Sequence, residues 1–272
     1  MSTGMHGFER DTLSAVLSSK RVWLLHLVVN ALLMVAFFYW VRIPEETGWE
    51  FTLTVLGGLT IAFCALWLHC ATFDHFSTAS EQRFANSLRR SLARIPAFLV
   101  WTIIFGVVLW LIGQLSAYDE QTGGYARHSL PLFLRKGIGP RSMFSAAHWG
   151  VWFLYFFLWP ILFLPVGAQM AAMNFPGFWN IAAFRPICRW RFWLAYLACF
   201  IVGAYIPYTL AWMLPRKPSS LIAQTWSMGL RLGFGYLLLV TAWVILCAAI
   251  MRASGGEETV PRADGEPFPV RS

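Results

Sequence analysis

The residues able to do chemistry in this chain are few, and they fall in three places. His26 and Asn30 stand four apart, a spacing that sets both on one face of a helix. They read either as a small polar site facing another helix or as a hydrogen bond that packs two helices together, and the second reading is adopted. His69, Cys70, Asp74 and His75 invite a metal site. Cys70 and Asp74 share a helical face, but His69 and His75 do not, and the spacing is not the His-Glu-x-x-His of a zinc helix. This segment is read as a polar membrane edge. Arg231 stands in Gly229-Leu230-Arg231-Leu232-Gly233-Phe234-Gly235, where glycines four apart permit close helix approach. It either meets an acid, an anionic substrate or a lipid phosphate, or extends to the membrane surface, and the latter is adopted.

The chain carries no P-loop, no dinucleotide-binding glycine fingerprint, no Gly-x-Ser-x-Gly and no catalytic triad. No Asp, Glu or Lys falls near the middle of any apolar run, which counts against a carboxylate proton relay and an aspartyl intramembrane protease. The five cysteines form no Cys-x-x-Cys pair and read as small apolar packing residues. No catalytic residue, cofactor or metal is expected.

These residues sit in a chain that is 58% hydrophobic and only 12% charged, about half the charge of an ordinary soluble domain. The deficit is concentrated in long uncharged runs, the signature of membrane helices. Six spans are expected at about residues 22–41, 51–70, 95–115, 147–173, 192–214 and 232–251, each long enough at about 1.5 Å per residue to cross an apolar layer of about 30 Å. The fold class is an all-α polytopic membrane bundle of three helical hairpins, with amphipathic surface helices around 78–95 and 219–230. Pro160, Pro165 and Pro207 should kink their helices. Gly123-Gly124 reads as a turn, and residues 253–272 as a disordered tail. The fifteen tryptophans fit the headgroup belt, and the Trp149–Trp159 run reads as lipid-facing and packing surface.

The stretch from Thr78 to Leu115 organises this layout. Thr78 and Glu81 fit a capping box, and Phe84, Leu88, Leu92 and Ile95 form an apolar stripe. Arg83, Arg89, Arg90 and Arg94 are expected to anchor this helix to anionic phospholipid headgroups. Nucleic acid is excluded as a partner, because the arginines flow straight into a span and no nucleic-acid-binding signature is present. Counting Lys and Arg gives 13 on the side of both termini and 8 on the other, which predicts cytoplasmic termini.

The layout resembles six-span bacterial inner-membrane proteins. Leu66-Trp67-Leu68-His69-Cys70-Ala71-Thr72, Ser91-Leu92-Ala93-Arg94-Ile95-Pro96-Ala97 and the Gln224–Arg231 stretch with Tyr236 and Thr241-Ala242-Trp243 carry that resemblance. It implies an inner-membrane location and no mechanism. The expected function is that of a scaffold, assembly or regulatory component, with a membrane-protein partner or a second copy of the chain. A transporter or channel subunit for a small or anionic solute is the alternative, and a lipid-modifying enzyme comes third.

Overall fold

The structure, a computed structural model, describes residues 16–17, 19–44, 46–77, 83–137, 139–212 and 220–254. The expected capping box and nearly all of the expected tail lie outside them. Among the described residues eleven α-helices can be bounded, in order: α1 (Lys20–Trp40), α2 (Gly48–Ser77), α3 (Phe84–Ser91), α4 (Ile95–Leu115), α5 (Asp119–Ser129), α6 (Leu132–Gly137), α7 (Pro140–Phe153), α8 (Trp159–Met173), α9 (Trp190–Phe200), α10 (Ile206–Trp212) and α11 (Leu221–Ser254). No strand occurs among the described residues. A 3-10 turn at Leu92–Arg94 joins α3 to α4, and π-turns at Leu154–Leu158 and Ile201–Tyr205 join α7 to α8 and α9 to α10. The result is six rods long and apolar enough to cross a membrane, as the hydropathy of the chain requires.

The large buried side chains gather at one end of these rods. The first turns of α1 (Val22, His26), α4 (Ile95, Ala97, Phe98, Trp101) and α9 (Phe192, Tyr196) are buried. So are the last turns of α2 (Leu68, Cys70–Asp74), α8 (Ile161, Leu164–Ala171) and α11 (Val240 to Ser254). Their side chains form one apolar core, with a small satellite of Val22, Leu68, Ala71 and Phe84. At the opposite end the helices pack mainly in pairs, α1 on α2, α5 on α7 and α10 on α11. The first three turns of α11 and the first half of α2 expose nearly every large apolar side chain. In α11 the most apolar window is 56% buried, against 6% in α2, which makes α11 the central post.

The helices differ from the sequence expectations in instructive ways. The helix of the second span runs past Cys70: α2 continues to Ser77 and carries Asp74 inside the helix. Residues 221–230 are not a separate surface helix but the first turns of α11, because nothing between Leu221 and Leu232 breaks the backbone pattern. Gly123 lies within α5 rather than in a turn; a Cβ there would meet the Phe144 ring of α7 at 2.6 Å, so this glycine provides close approach.

The two π-turns explain how the prolines fit. Pro160 and Pro207 each follow a π-turn by two residues. The Trp159 and Ile206 amides bond five residues back, to the Leu154 and Ile201 carbonyls. In a regular helix Pro160 would deprive the Phe156 carbonyl of its partner. Here the Tyr196 hydroxyl of α9 donates to that carbonyl at 2.6 Å, so a neighbouring helix satisfies the group the proline releases.

The tryptophans also join the helices to one another. Seven of the fifteen donate their indole N–H within the fold. Trp40 reaches the Thr54 carbonyl, Trp67 that of Leu88, Trp101 that of Phe163, Trp159 that of Phe105 and Trp193 that of Ile187. Trp23 donates to the Thr241 hydroxyl, and Trp243 to His69. A buried indole needs a partner for its single N–H, and in a lipid-immersed bundle the available partners are on other helices.

Candidate functional site

The polar side chains collect at the packed end, where α1, α2, α3, α4, α8 and α11 meet. Asp74, in the last turn of α2, is fully buried. Its Oδ2 accepts from Arg90 Nη2 at 2.8 Å and from Nε at 3.1 Å, and its Oδ1 accepts from Arg94 Nη1. Both arginine side chains keep a partly exposed edge, 34% and 23%. Arg94 Nη1 also donates to the Ala171 carbonyl near the end of α8, at 3.2 Å. One carboxylate thus ties α2, α3, the α3–α4 turn and α8 together. α3 supplies the geometry: Phe84, Ser87 and Ser91 face inward, and the three-residue step from Ser87 to Arg90 swings the arginine over Asp74, where it also donates to Ser87 Oγ at 3.3 Å.

A second cluster begins at Thr72 and His69, two and five residues before Asp74 on α2, about 3 to 7 Å along the helix. Asn30 Nδ2 donates to His26 Nδ1 at 3.2 Å, and His26 Nε2 lies 2.6 Å from Thr72 Oγ1. The Thr72 hydroxyl spends its own proton on the Leu68 carbonyl at 2.8 Å, so it accepts from His26. The network therefore assigns the ring proton of His26 to Nε2. Trp243 Nε1 donates to His69 Nδ1 at 3.0 Å, and the His26 and His69 rings lie 5.5 Å apart. Nearer the surface, Ser19 Oγ sits 3.3 Å from His75 Nε2.

This geometry brings His26 and Asn30 together with Thr72 and His69 and keeps Arg231 apart. Arg231 is half-buried on α11 and donates from Nε to the Ser227 carbonyl at 3.1 Å. About twenty residues separate it from Arg252, roughly 30 Å of helix, so the two arginines bracket an apolar layer of bilayer thickness. It forms no ion pair with Glu120, the only ion pairs among the described residues being those of Asp74. Of the four arginines expected at the surface, Arg83 and Arg89 are exposed, whereas Arg90 and Arg94 turn inward to Asp74.

The residues that invited a metal reading point four ways. Cys70 Sγ faces the Ser91 carbonyl at 3.9 Å, His69 takes Trp243, Asp74 takes two arginines and His75 meets Ser19. Among the described residues no three of His, Cys, Asp and Glu converge to hold a metal ion. The bonds from His26 to Thr72, from Trp243 to His69 and from Arg90 and Arg94 to Asp74 run between elements, and this arrangement is a latch.

The ionic partner of Asp74 is the residue that sequence reasoning missed. Asp74 lies only four residues past Cys70, where the apolar run ends, and the Arg90 and Arg94 that pair with it lie sixteen and twenty residues on. No local periodicity links those positions. The available signal was compositional: among the described residues Asp74 is the one carboxylate at the basic end of the rods. Comparison with protein-family models, curated proteins and solved structures finds no match.

Proposed function

We propose that this membrane protein is a scaffold or assembly component of a bacterial inner membrane, holding transmembrane segments of a partner protein against its sparsely packed half. The observation that carries this reading is the asymmetry of packing. The end rich in arginine is locked by an ion triad, a histidine cluster and interhelical indole bonds. The other half leaves long apolar flanks of α2, α4 and α11 without protein neighbours. On α11, a Cβ added at Gly229 or Gly233 would meet nothing within 4 Å, while Gly235 two residues on packs against Pro207. Small residues that admit a close-packed helix thus lie open beside a face already used.

Transport finds less support. The helix breaks at Pro160 and Pro207 are filled by protein: Tyr196 caps the first, and at the second Gly203 packs against Ala242 of α11. The basic end carries Lys20, Arg21, Arg83, Arg89, Arg90, Arg94, Arg185, Arg189, Arg191 and Arg252 against Asp74 alone among the described residues. That bias supports placing this end in the cytoplasm.

A photo-reactive amino acid at position 233, activated in living cells, tests the scaffold reading. The expected result is a specific adduct with another membrane protein, and none from position 244, where Val244 is fully buried. A chain that stays an uncross-linked monomer, or an adduct of twice its own mass only, would overturn it.

A further inference from the structure

Between α8 and α9 the chain makes a short 3-10 helix, Ile181–Cys188, that lies along the packed end. Its inner edge is Ala183 and Pro186, both buried, and the Trp193 indole of α9 fastens it through the Ile187 carbonyl at 2.8 Å. Its outer edge is unlike the rest of the surface. Ile181, Phe184, Cys188, Arg185 and Arg189 line an open groove of about 290 Å³. Ile181 is 83% exposed, and Phe184 and Cys188 are exposed beside it. Neither Arg185 nor Arg189 forms an ion pair or a side-chain hydrogen bond with a described residue. Trp179 and Trp190, both largely exposed, flank the segment.

Apolar side chains held in the open beside two uncommitted guanidinium groups ask for an amphiphile with an anionic head. The groove lies where α8 ends and α9 begins, the level at which a rod leaves the apolar layer, and flanking tryptophans favour that level. Guanidinium groups bind phosphate through two parallel N–H bonds, while Ile181, Phe184 and the Cys188 side chain offer an apolar wall to the first part of an acyl chain. We infer that this groove is a binding site for an anionic phospholipid, with its phosphate on Arg185 and Arg189 and its acyl chain against Ile181 and Phe184. Of the four arginines expected at headgroups, Arg90 and Arg94 are committed to Asp74, and this groove adds an uncommitted pair beside an apolar wall. This site stands independently of the scaffold reading.

Cys188 supplies the readout. In the full chain in neutral detergent, its modification by a water-soluble maleimide is followed by peptide mass mapping, with Cys64, inside the apolar run of α2, as the thiol expected to stay unmodified. Phosphatidylglycerol should slow modification of Cys188, and phosphatidylcholine with the same acyl chains should not. An arginine near an anionic lipid surface is worth about fivefold in affinity, so the double variant Arg185→Gln/Arg189→Gln should need more than about tenfold as much lipid for the same protection. Equal protection by phosphatidylcholine would overturn the site, as would full protection of the double variant. Protection by millimolar inorganic phosphate alone would assign the arginines to a free anion and overturn the lipid. The lipid and phosphate comparisons use the unaltered protein, so they decide the matter even if the double variant fails to fold.

Discussion

Asp74 and its two arginines are unequal partners. The carboxylate is fully enclosed, while each guanidinium keeps an edge toward water. Removing one partner from a buried pair costs about 3–5 kcal/mol when the remaining charge is trapped. Arg94→Gln leaves the enclosed carboxylate with Arg90 alone and should cost about 3 kcal/mol, at the low end because the site is partly wet. Asp74→Asn leaves two arginines that can turn outward, and should cost about half as much. Thermal unfolding of both variants in one detergent ranks them, and a larger loss for Asp74→Asn would show that the arginines are the trapped partners. His26 offers a milder test. Thr72→Val removes the acceptor at 2.6 Å and should cost about 0.6–2 kcal/mol, the range for interhelical hydrogen bonds in membranes.

At the scale of elements, α8 is held by two devices that a hydropathy reading passes over. Trp101 of α4 lies against Gly167, where any Cβ would overlap the indole, and its N–H donates to the Phe163 carbonyl one turn back at 3.1 Å. The same turn supplies both the space and the acceptor. Gly167→Ala should therefore break the hydrogen bond as well as overpack the contact, costing about 1–3 kcal/mol, visible as a fall in unfolding temperature and a red shift of tryptophan emission. Tyr196→Phe keeps the ring packed on Phe157 and removes only the cap on the Phe156 carbonyl. It should cost about 1 kcal/mol, and an unchanged unfolding temperature would mean that the π-turn satisfies itself. Pro160 and Pro207 were legible in the sequence as irregular points of their helices, whereas Pro165 lies inside a continuous α8. What they lacked was an address for the released carbonyl, and Tyr196 is forty residues away. Gly123 failed differently: a glycine pair reads as a turn, but the Cα of Phe144 stands where a side chain would go. Nothing local distinguishes a glycine that bends the chain from one that admits a neighbour.

For the whole molecule, the six rods were legible because the length of an apolar run is a local property that the bilayer reads directly. The uneven packing was not. Both halves of each rod are apolar, and only the contacts tell core from lipid-facing surface, since the two environments ask for the same side chains. The orientation carries its own test. Reporter fusions after Gly137 and after Ser272 should fall on opposite sides of the membrane, with the Ser272 fusion in the cytoplasm. Fusions on the same side would remove one rod from the membrane.

Synthesis gives the Asp74 latch a further consequence. The carboxylate emerges from the ribosome sixteen residues before Arg90 and twenty before Arg94. At about 5–20 residues per second, the first hairpin waits on the order of seconds for the charges that will enclose its acid. During that interval Asp74 must be hydrated at the membrane surface, because an ionised carboxylate resists entry into the apolar layer. Its hydration should act as a depth stop, setting how far α2 inserts before α4 exists. Pairing with Arg94 would then turn the stop into the clasp that docks the second hairpin on the first.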